Sequence, residues 1–421
     1  MELPGYSGSF LSDKTRELYK NVDEFAKKYS SQYNSSIFLS RLLLKPTVVV
    51  TDNATVRELL ADKEGNFEMG YKEFFYEIYG DVLLFLSGEE SKPVRAVLES
   101  LMTRDHGNTY TTFLEKIMDN WMDKLETSKP IDVYKHFKKM STHISLSLFL
   151  GIDPAESANF VDHLIELTTT HWHGIISIPL NVKIPLFAST TYRKALDAKA
   201  ELLEIIRKQL QVASVGFISQ MHDDNRMEFE KQADHILLFV SALVPKALAA
   251  ILTAFIFSSP FWYEKFVDLK GNMKEEDLLG IILEVERCWP PFVGGRRVAN
   301  KDCQLGGYLI PKGYGVIYLA TSAHRDPSVF SNPEEFIASR WTGDVPAQRS
   351  TLFTFGAGSR SCIGTDLMEA VILKFCRKLM ERFQWEVKEN GGSLKWMPVS
   401  RPKDRVIAVF KSHISTSEKD Q

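Results

Sequence analysis

Near the carboxyl end of the 421-residue chain stands the run Phe355-Gly356-Ala357-Gly358-Ser359-Arg360-Ser361-Cys362-Ile363-Gly364. Apolar residues then recur every four positions, at Leu367, Val371, Phe375, Leu379 and Phe383, which predicts an amphipathic helix directly after the run. A cysteine that enters a helix receives backbone N–H donors and the positive end of the helix dipole, and both favour the thiolate. The segment therefore predicts an anionic sulfur ligand at Cys362.

The residues around Cys362 also suit a flat, negatively charged cofactor, because glycines allow close backbone approach and Arg360 can neutralise a carboxylate. The matching positions of the pattern Phe-x-x-Gly-x-Arg-x-Cys-x-Gly are Phe355, Gly358, Arg360, Cys362 and Gly364. This pattern closely resembles the haem-binding signature of the cytochrome P-450 family. The resemblance implies a mainly α fold with small β-sheets, haem b as cofactor, Cys362 as iron ligand, and haem contacts from Phe355, Arg360 and Gly364.

Two further segments follow the order of this family. Glu284-Val285-Glu286-Arg287 matches its Glu-x-x-Arg motif and puts the first and last residues on one helix face. Ala338-Ser339-Arg340-Trp341 resembles the segment that supplies a third partner. The resemblance implies that Glu284, Arg287 and Arg340 form a structural network beside the haem.

Two more arginines are implied as haem contacts. Gly294-Gly295-Arg296-Arg297 precedes a strand-like run and resembles the β region beside the haem, so Arg297 would contact a propionate. The segment from Gly88 to Arg95 resembles the start of the helix across the haem, which gives Arg95 the same role. Ser91 stands where the family usually has an aromatic residue or a histidine.

Composition limits the classes of partner. The 51 Lys and Arg against 54 Asp and Glu give a net charge of −3, so no basic field indicates a nucleic-acid partner. We expect an apolar lipid substrate instead. The four cysteines lack the short paired spacings of zinc sites or disulfide frameworks, which fits a reducing compartment. No basic segment followed by an apolar run begins the chain, so we expect no membrane anchor and a cytoplasmic protein.

The rest of the chain is expected to form one catalytic domain, residues 1–421, without repeats or linkers. Two short β-rich runs flank Lys45-Pro46, and a second small sheet is expected between Gly294 and Leu319. The 22 residues Ile236–Phe257 are almost free of charge and are expected to form a buried central helix. The apolar connection 171–187 either gates a lipid pocket, rests on an intracellular membrane surface, or folds onto the core.

The central helix departs from the family. Oxygen-activating members carry an acid followed by a threonine there, which help deliver protons to dioxygen, whereas this chain has Leu243 and Val244 at those positions. Thr253 lies nine residues beyond Val244, about 13 Å along a helix. Ser241 would help only if the helix bulged, and Pro245 is expected to kink the helix over the haem.

Lys246 follows that proline in an otherwise apolar helix. Burial of its ammonium is costly unless the group reaches water, a carboxylate or a propionate. Two interpretations stay open. In one, Lys246 belongs to the catalytic site and anchors an acidic lipid head; in the other, it points elsewhere.

Three functions remain open at this point. The missing acid and threonine favour a haem-thiolate enzyme that isomerises, dehydrates or cleaves a lipid hydroperoxide or endoperoxide, or uses peroxide as oxidant. The second candidate is a monooxygenase of a retinoid, steroid or fatty acid that depends on NADPH-cytochrome reductase. The third is a haem- or lipid-binding protein without catalysis.

Overall fold

The computed structural model describes residues 2–62, 64–125, 128–152, 158–177, 190–212, 216–224, 226–267, 273–341 and 348–413. Helices make up 58% of it, which confirms the mainly α fold with small sheets. The helices are α1 (Thr15–Lys20), α2 (Val22–Tyr33), α3 (Asn53–Leu60), α4 (Lys72–Tyr79), α5 (Gly88–Leu101), α6 (Arg104–Asp123), α7 (Val133–Leu150), α8 (Ala158–Trp172), α9 (Thr191–Val212), α10 (Gly216–Asp223), α11 (Phe229–Ser241), α12 (Leu243–Phe257), α13 (Tyr263–Phe266), α14 (Glu275–Cys288), α15 (Ala320–Ala323) and α16 (Thr365–Arg382).

The strands are β1 (Ile37–Leu42), β2 (Lys45–Val50), β3 (Phe67–Met69), β4 (Pro130–Asp132), β5 (Gly294–Ala299), β6 (Cys303–Leu305), β7 (Tyr308–Ile310), β8 (Gly315–Leu319), β9 (Phe383–Asn390), β10 (Leu394–Lys395), β11 (Arg401–Pro402) and β12 (Val406–Ser412). Strands β4, β12 and β9 form one sheet, and β10 pairs with β11. Phe383, expected on the helix after the cysteine run, instead begins β9, while the four preceding apolar positions are buried on α16.

One five-stranded sheet has the order β1-β2-β8-β5-β3. The hairpin β1–β2 was expected, and the prediction of a second sheet between Gly294 and Leu319 is confirmed only in part. Strand β8 pairs in parallel with β2, with Val48 opposite Val316, so β5 and β8 complete the first sheet. Only β6 and β7 stand apart as a separate hairpin. Pairing between strands so distant in sequence leaves no local signal, so the sequence alone could not assign β5 and β8 to the first sheet.

The central helix is buried, as expected. The stretch Phe229–Phe257 is long and apolar enough to span a bilayer, but 82% of its most apolar window lies inside the protein. Ala242, with φ −105° and ψ −94°, divides it into α11 and α12. Pro245 has no N–H to donate to the carbonyl of Ser241, and its ring excludes that carbonyl from a regular helical position. The expected kink is therefore confirmed, one turn before the proline.

The main apolar core joins α12 to the helices around it. It includes fully buried side chains of α7, α12, α14 and α16, among them Phe137, Ile256, Ile281 and Val371. The α12 helix packs closely along α7, and α16 packs against α6 and α12. These contacts fix the face of α12 that is turned toward the Cys362 segment. Residues 178–187 of the expected apolar connection lie outside the described residues.

Candidate active site

The cysteine segment is a tight loop that ends at the start of α16. The Cys362 N–H donates to the carbonyl oxygen of Phe355 at 2.7 Å, which closes the loop. Gly356 and Gly358 have φ values of +69° and +67°, in the left-handed region that favours glycine. A Cβ on Gly358 would also overlap the carbonyl of Leu60, whereas a Cβ on Gly356 would have its nearest neighbour at 3.7 Å. The loop therefore requires glycine most strictly at Gly358.

The Cys362 sulfur is set deep in the protein but is exposed to an internal cavity. Burial raises the pKa of the Cys362 thiol, while the Gly364 N–H, the Thr365 hydroxyl and the Arg95 charge act in the opposite direction. The backbone N–H at the helix start therefore favours the thiolate, as expected, although burial outweighs its effect on the pKa of Cys362. A cation facing the sulfur, such as a haem iron, would supply the missing stabilisation.

The three arginines expected at the haem propionates come together beside this cavity. Burial, and then the positive charges of Arg297 and Arg95, lower the pKa of Arg360. The Arg360 guanidinium donates to the carbonyl of Leu86, and neither Arg360 nor Arg297 has an ion pair among the described residues. Three clustered cations with few protein carboxylates near them fit a ligand that brings carboxylates of its own. Haem is such a ligand, because it has two propionate groups.

Each of these arginines is also held by the protein. The Arg95 guanidinium donates to the carbonyl of Ser361 at 2.9 Å and pairs with Glu99 at 2.7 Å. Arg297 donates to the carbonyl of Arg296 at 3.2 Å, and its guanidinium carbon lies 5.9 Å from the centre of the Tyr318 ring. Arg95 thus braces the loop directly before Cys362, and Arg297 is fixed on β5.

Phe355 and Gly364 both line the cavity near the sulfur. A Cβ on Gly364 would lie 4.0 Å from the Cys362 sulfur, an ordinary contact distance. Ser91, by contrast, donates to the carbonyl of Gly88 at 2.8 Å within α5 and is absent from the described cavity wall. The predicted haem contacts therefore gather around Cys362, and α5 contributes Arg95 to them but not Ser91.

The expected network of Glu284, Arg287 and Arg340 is confirmed. Arg287 donates two hydrogen bonds to the Glu284 carboxylate, at 2.9 and 2.8 Å, and both side chains are fully buried. Arg340 donates to the same carboxylate at 3.1 Å, and the Trp341 indole does so at 2.9 Å. Arg287 also donates to three backbone carbonyls, including that of His324 at 3.0 Å. This network fixes α14 to the segment that leads to the cysteine loop.

The cavity has a volume of about 1020 Å³ and extends from the cysteine loop to α1 and the β1–β2 turn. Its wall is mostly apolar. The α12 side chains on it include Val244, Ala247, Leu248 and Ile251, which share one helix face by their spacing. The cavity is large enough for a lipid-sized ligand, in the usual range for small-molecule sites.

Lys246 lies on the opposite face of α12 and is not part of the described cavity wall. Its side chain is 2% exposed, and its ammonium has no hydrogen-bond partner among the described residues. Burial, and then the charge of Lys138 on α7, lower the pKa of Lys246 to about 7. The structure does not bring Lys246 to Cys362, because two residues along a helix from Val244 correspond to a rotation of about 200°.

The hydroxyls of the central helix are likewise turned away from the cavity. Thr253 donates to the carbonyl of Ala249 at 2.7 Å and is fully buried. The Ser241 hydroxyl lies 2.8 Å from Nδ1 of His171, and neither residue is part of the described cavity wall. Although the helix does break beside Ser241, the break directs this hydroxyl toward α8.

The protonation of His171 follows from its partners. Burial lowers the pKa of His171 to about 4, so the ring is neutral near pH 7. Nε2 lies 2.9 Å from the carbonyl oxygen of Ile78, which only accepts, so Nε2 carries the hydrogen. Nδ1 can then only accept, so the Ser241 hydroxyl shares its one hydrogen between Nδ1 and the carbonyl oxygen of Leu237, which also lies 2.8 Å away. The Tyr79 ring packs edge-on at 5.1 Å from His171, and its hydroxyl is buried without a hydrogen bond among the described residues.

One charged residue of the cavity wall was not recognised as a site residue from the sequence. Arg296, next to Arg297 on β5, is 3% exposed and lines the cavity near α4 and α1. The sequence shows only that Arg296 is a second arginine in a short strand. Because neighbouring strand residues face opposite sides of a sheet, Arg296 points away from Arg297. Strand alternation alone does not tell which side borders a cavity.

Comparison with known proteins agrees with these features. The Cytochrome P450 family model matches residues 6–251 and 278–406. The beta-amyrin 11-oxidase of Glycyrrhiza uralensis is 26% identical over 427 residues, which cover 92% of this chain and 85% of that protein. The solved structure of retinoic acid bound cyanobacterial CYP120A1 has a TM-score of 0.82 and 23% identity, and covers 98% of this chain and 99% of its own.

A variant of cytochrome P450 OleT in complex with arachidonic acid has a TM-score of 0.80 and 17% identity, with 99% of each chain covered. At these identities the two solved structures bear on the fold alone. The family model spans the cysteine loop, the Glu284 network and the strand that carries Arg297. By this match over most of its length, the chain belongs to the haem-binding cytochrome P450 family.

Proposed function

We propose that this P450 isomerises, dehydrates or cleaves a lipid hydroperoxide or endoperoxide, or uses peroxide as its oxidant. The observation that carries the proposal is the cavity face of α12, where Val244 and its neighbours Ala247 and Leu248 present only hydrocarbon. Ser241 and Thr253 direct their hydroxyls elsewhere. A substrate that already contains an O–O bond needs neither the electrons of a reductase nor dioxygen-derived protonation.

The residues around the cavity have defined tasks in this reaction. Bound haem b, with its iron on Cys362, supplies the chemistry that breaks the O–O bond. Cys362 would hold the iron, and Arg95, Arg297 and Arg360, which border the same cavity, would hold the propionates. The hydrocarbon face of α12 positions the lipid and excludes water, so that a reactive substrate is not hydrolysed.

The test is a pair of parallel assays on haem-loaded protein. A polyunsaturated fatty-acid hydroperoxide should be consumed without NADPH and without reductase, and Cys362→Ser should lose this activity together with the red-shifted Soret band of the reduced carbon-monoxide complex. Strict dependence on NADPH and reductase, with product oxygen from dioxygen, would contradict the proposal. Lipid-induced spectral shifts without turnover in either assay would favour a non-catalytic lipid-binding protein.

A reductase-dependent monooxygenase is the second candidate, and Tyr79 favours it. The Tyr79 hydroxyl is buried at the cavity wall, has no hydrogen bond of good geometry among the described residues, and interacts with the side chain of Ser241 beside His171. Such a hydroxyl can pass a proton through ordered water in place of the missing threonine. Tyr79→Phe should then abolish NADPH-supported turnover while leaving peroxide consumption intact. Equal losses in both assays would contradict a proton-transfer role.

We also propose that the protein takes its lipid from the surface of an intracellular membrane, on the cytoplasmic side. Phe10, Leu11 and Leu44 are 67%, 81% and 65% exposed, close to the end of the cavity at α1. Arg41 donates to backbone carbonyls of both the N-terminal segment and Leu44, which keeps these apolar side chains at one edge. Phe10→Ser with Leu11→Ser should reduce sedimentation with phosphatidylcholine vesicles; unchanged sedimentation would contradict the proposal.

A further inference from the structure

The buried guanidinium of Arg296 is rigidly positioned in the cavity wall. Its Nε donates to the carbonyl of Gly70 at 3.1 Å, and its Cζ lies 5.4 Å from the centre of the Phe74 ring. Glycines on both sides make room for it. A Cβ on Gly70 would lie 2.7 Å from the Arg296 Cγ, and a Cβ on Gly315 would lie 2.9 Å from its Nη1.

The two terminal nitrogens of Arg296 are left without hydrogen bonds. Nη1 and Nη2 are buried and have no such partner among the described residues. The nearest carboxylate oxygen, on Glu73, lies 3.6 Å from Nη2. Glu73 is 40% exposed and also pairs with Lys45, so its charge is shared and solvated. A buried guanidinium with unused donors is costly unless a ligand satisfies them.

A second donor lies beside this fork. The Tyr71 hydroxyl accepts a hydrogen bond from the Arg296 backbone N–H at 2.9 Å, so its own hydrogen remains available. Burial raises the pKa of Tyr71, which keeps the hydroxyl protonated at neutral pH. Tyr71 and Tyr19 both line the cavity at this end. Two guanidinium nitrogens and one hydroxyl, each with unused hydrogens, therefore belong to residues that line the cavity where it approaches α1.

We propose that Arg296 and Tyr71 bind the carboxylate of an acidic lipid, whose apolar chain then runs along the cavity toward Cys362. A carboxylate matches the planar fork of an arginine because its two oxygens accept from both terminal nitrogens. The inference rests on the proposed function in one respect, namely that a lipid substrate occupies this cavity. It gives Arg296, which borders the cavity, the role that one of the two interpretations gave to Lys246.

A haem propionate is a poorer candidate for this fork. Arg296 and Arg297 are consecutive on β5, so their side chains leave opposite faces of the sheet. Arg297 and Arg95 are the positive charges that lower the pKa of Arg360, and Arg296 is not among them. The Arg296 side chain instead contacts Gly70 and Phe74, at the start of α4. The carboxylate site and the propionate arginines are thus distinct.

The test compares lauric acid with 1-dodecanol, which share a chain length and differ in charge. Binding to haem-loaded protein is measured by equilibrium dialysis, which needs no turnover. Arg296→Gln should weaken laurate binding by about tenfold or more, and dodecanol binding by less than about twofold, since a charge-assisted bond is lost only with laurate. Lys72→Gln is the matched control, because Lys72 is an exposed cation of the same wall and should leave both affinities within about twofold.

Glu73→Gln tests the proposal in the opposite direction and does not depend on the folding of an Arg296 variant. Removing the competing carboxylate should tighten laurate binding and leave dodecanol unchanged. Equal changes for both ligands, unchanged laurate binding, or loss of haem per polypeptide in Arg296→Gln would overturn the carboxylate site. Failure of hydroperoxide turnover with the laurate preference intact would instead count against the proposed reaction alone.

Discussion

Nδ1 of His171 lies 2.8 Å from the hydroxyl oxygen of Ser241, and both side chains are fully buried. This bond joins the end of α8 to the last residue of α11, directly before the break in the central helix. The nearest hydroxyl to the missing threonine position therefore stabilises the fold and is turned away from the cavity. The apolar character of the α12 wall is built into the packing of α8 against α11.

The burial of His171 predicts an acid-sensitive step in stability. His171 has a folded-state pKa near 4, below the ordinary value of 6.5, so the unfolded chain binds a proton that the fold excludes between these values. Stability should thus fall as the pH drops from about 6.5 to about 4, by as much as about 1.4 kcal/mol per pH unit from this residue. Urea unfolding at several pH values should show a shallower dependence for His171→Gln than for the wild type. Parallel curves would contradict the prediction.

Two glycines of the cysteine loop should differ sharply in their tolerance of alanine. Both have positive φ, so Gly356→Ala should cost about 1–2 kcal/mol. Gly358→Ala adds an overlap with the Leu60 carbonyl, and the loop must move to relieve it. We expect Gly358→Ala to lower the haem content per polypeptide strongly and Gly356→Ala to keep most of it. Similar haem contents in the two variants would show that the steric argument fails.

Substitution of Arg287, in the buried pair with Glu284, should destabilise the protein far more than substitution of Arg340 at the edge of the network. Arg287→Met leaves a buried carboxylate with fewer donors and should cost about 3–5 kcal/mol in the free energy of unfolding. Arg340→Met removes one hydrogen bond to the Glu284 carboxylate and two solvent-exposed ones to backbone carbonyls, and should cost about 1–2 kcal/mol. Denaturant unfolding of the two variants measures the difference. An equal cost would mean that the carboxylate is not held mainly by Arg287.

Lys246 should make stability rise with pH in the alkaline range. Its folded-state pKa of about 7 is lower than the ordinary value of 10.5, so between these values the unfolded chain carries the extra proton. Lysine contributes a slope of about 1.4 kcal/mol per pH unit there, and Lys246→Met should remove it. The variant should be at least as stable as the wild type at neutral pH. Loss of stability on this substitution would indicate a partner for the ammonium.

Local patterns were enough to predict most of the residues that gather around Cys362. The spacing around Cys362, the i, i+3 pair of Glu284 and Arg287, and the break beside Pro245 each depend on a few consecutive residues. Such features are encoded in backbone geometry and short hydrogen bonds. For that reason they could be predicted from the sequence alone.

Features that depend on tertiary packing could not be predicted in the same way. The rotation of α12 decides that Val244 borders the cavity and Lys246 does not, and this rotation is fixed by packing against α7. Arg296 is similar, because its role depends on Gly70 and Gly315, which approach it from other strands and turns. The pKa of the Cys362 thiol also depends on how deeply the residue is buried, which cannot be read from the sequence.

The parallel pairing of β2 with β8 has a consequence for synthesis in the cell. Thr47 pairs with Gly315, so the edge of β2 stays uncovered until the ribosome has delivered most of the chain. An unpaired strand edge is a template for association with other chains. During that interval the nascent polypeptide exposes Val48, Val49 and Val50, which are fully buried in the finished protein. Its yield on expression should therefore depend on chaperone supply more than on the stability of the folded enzyme.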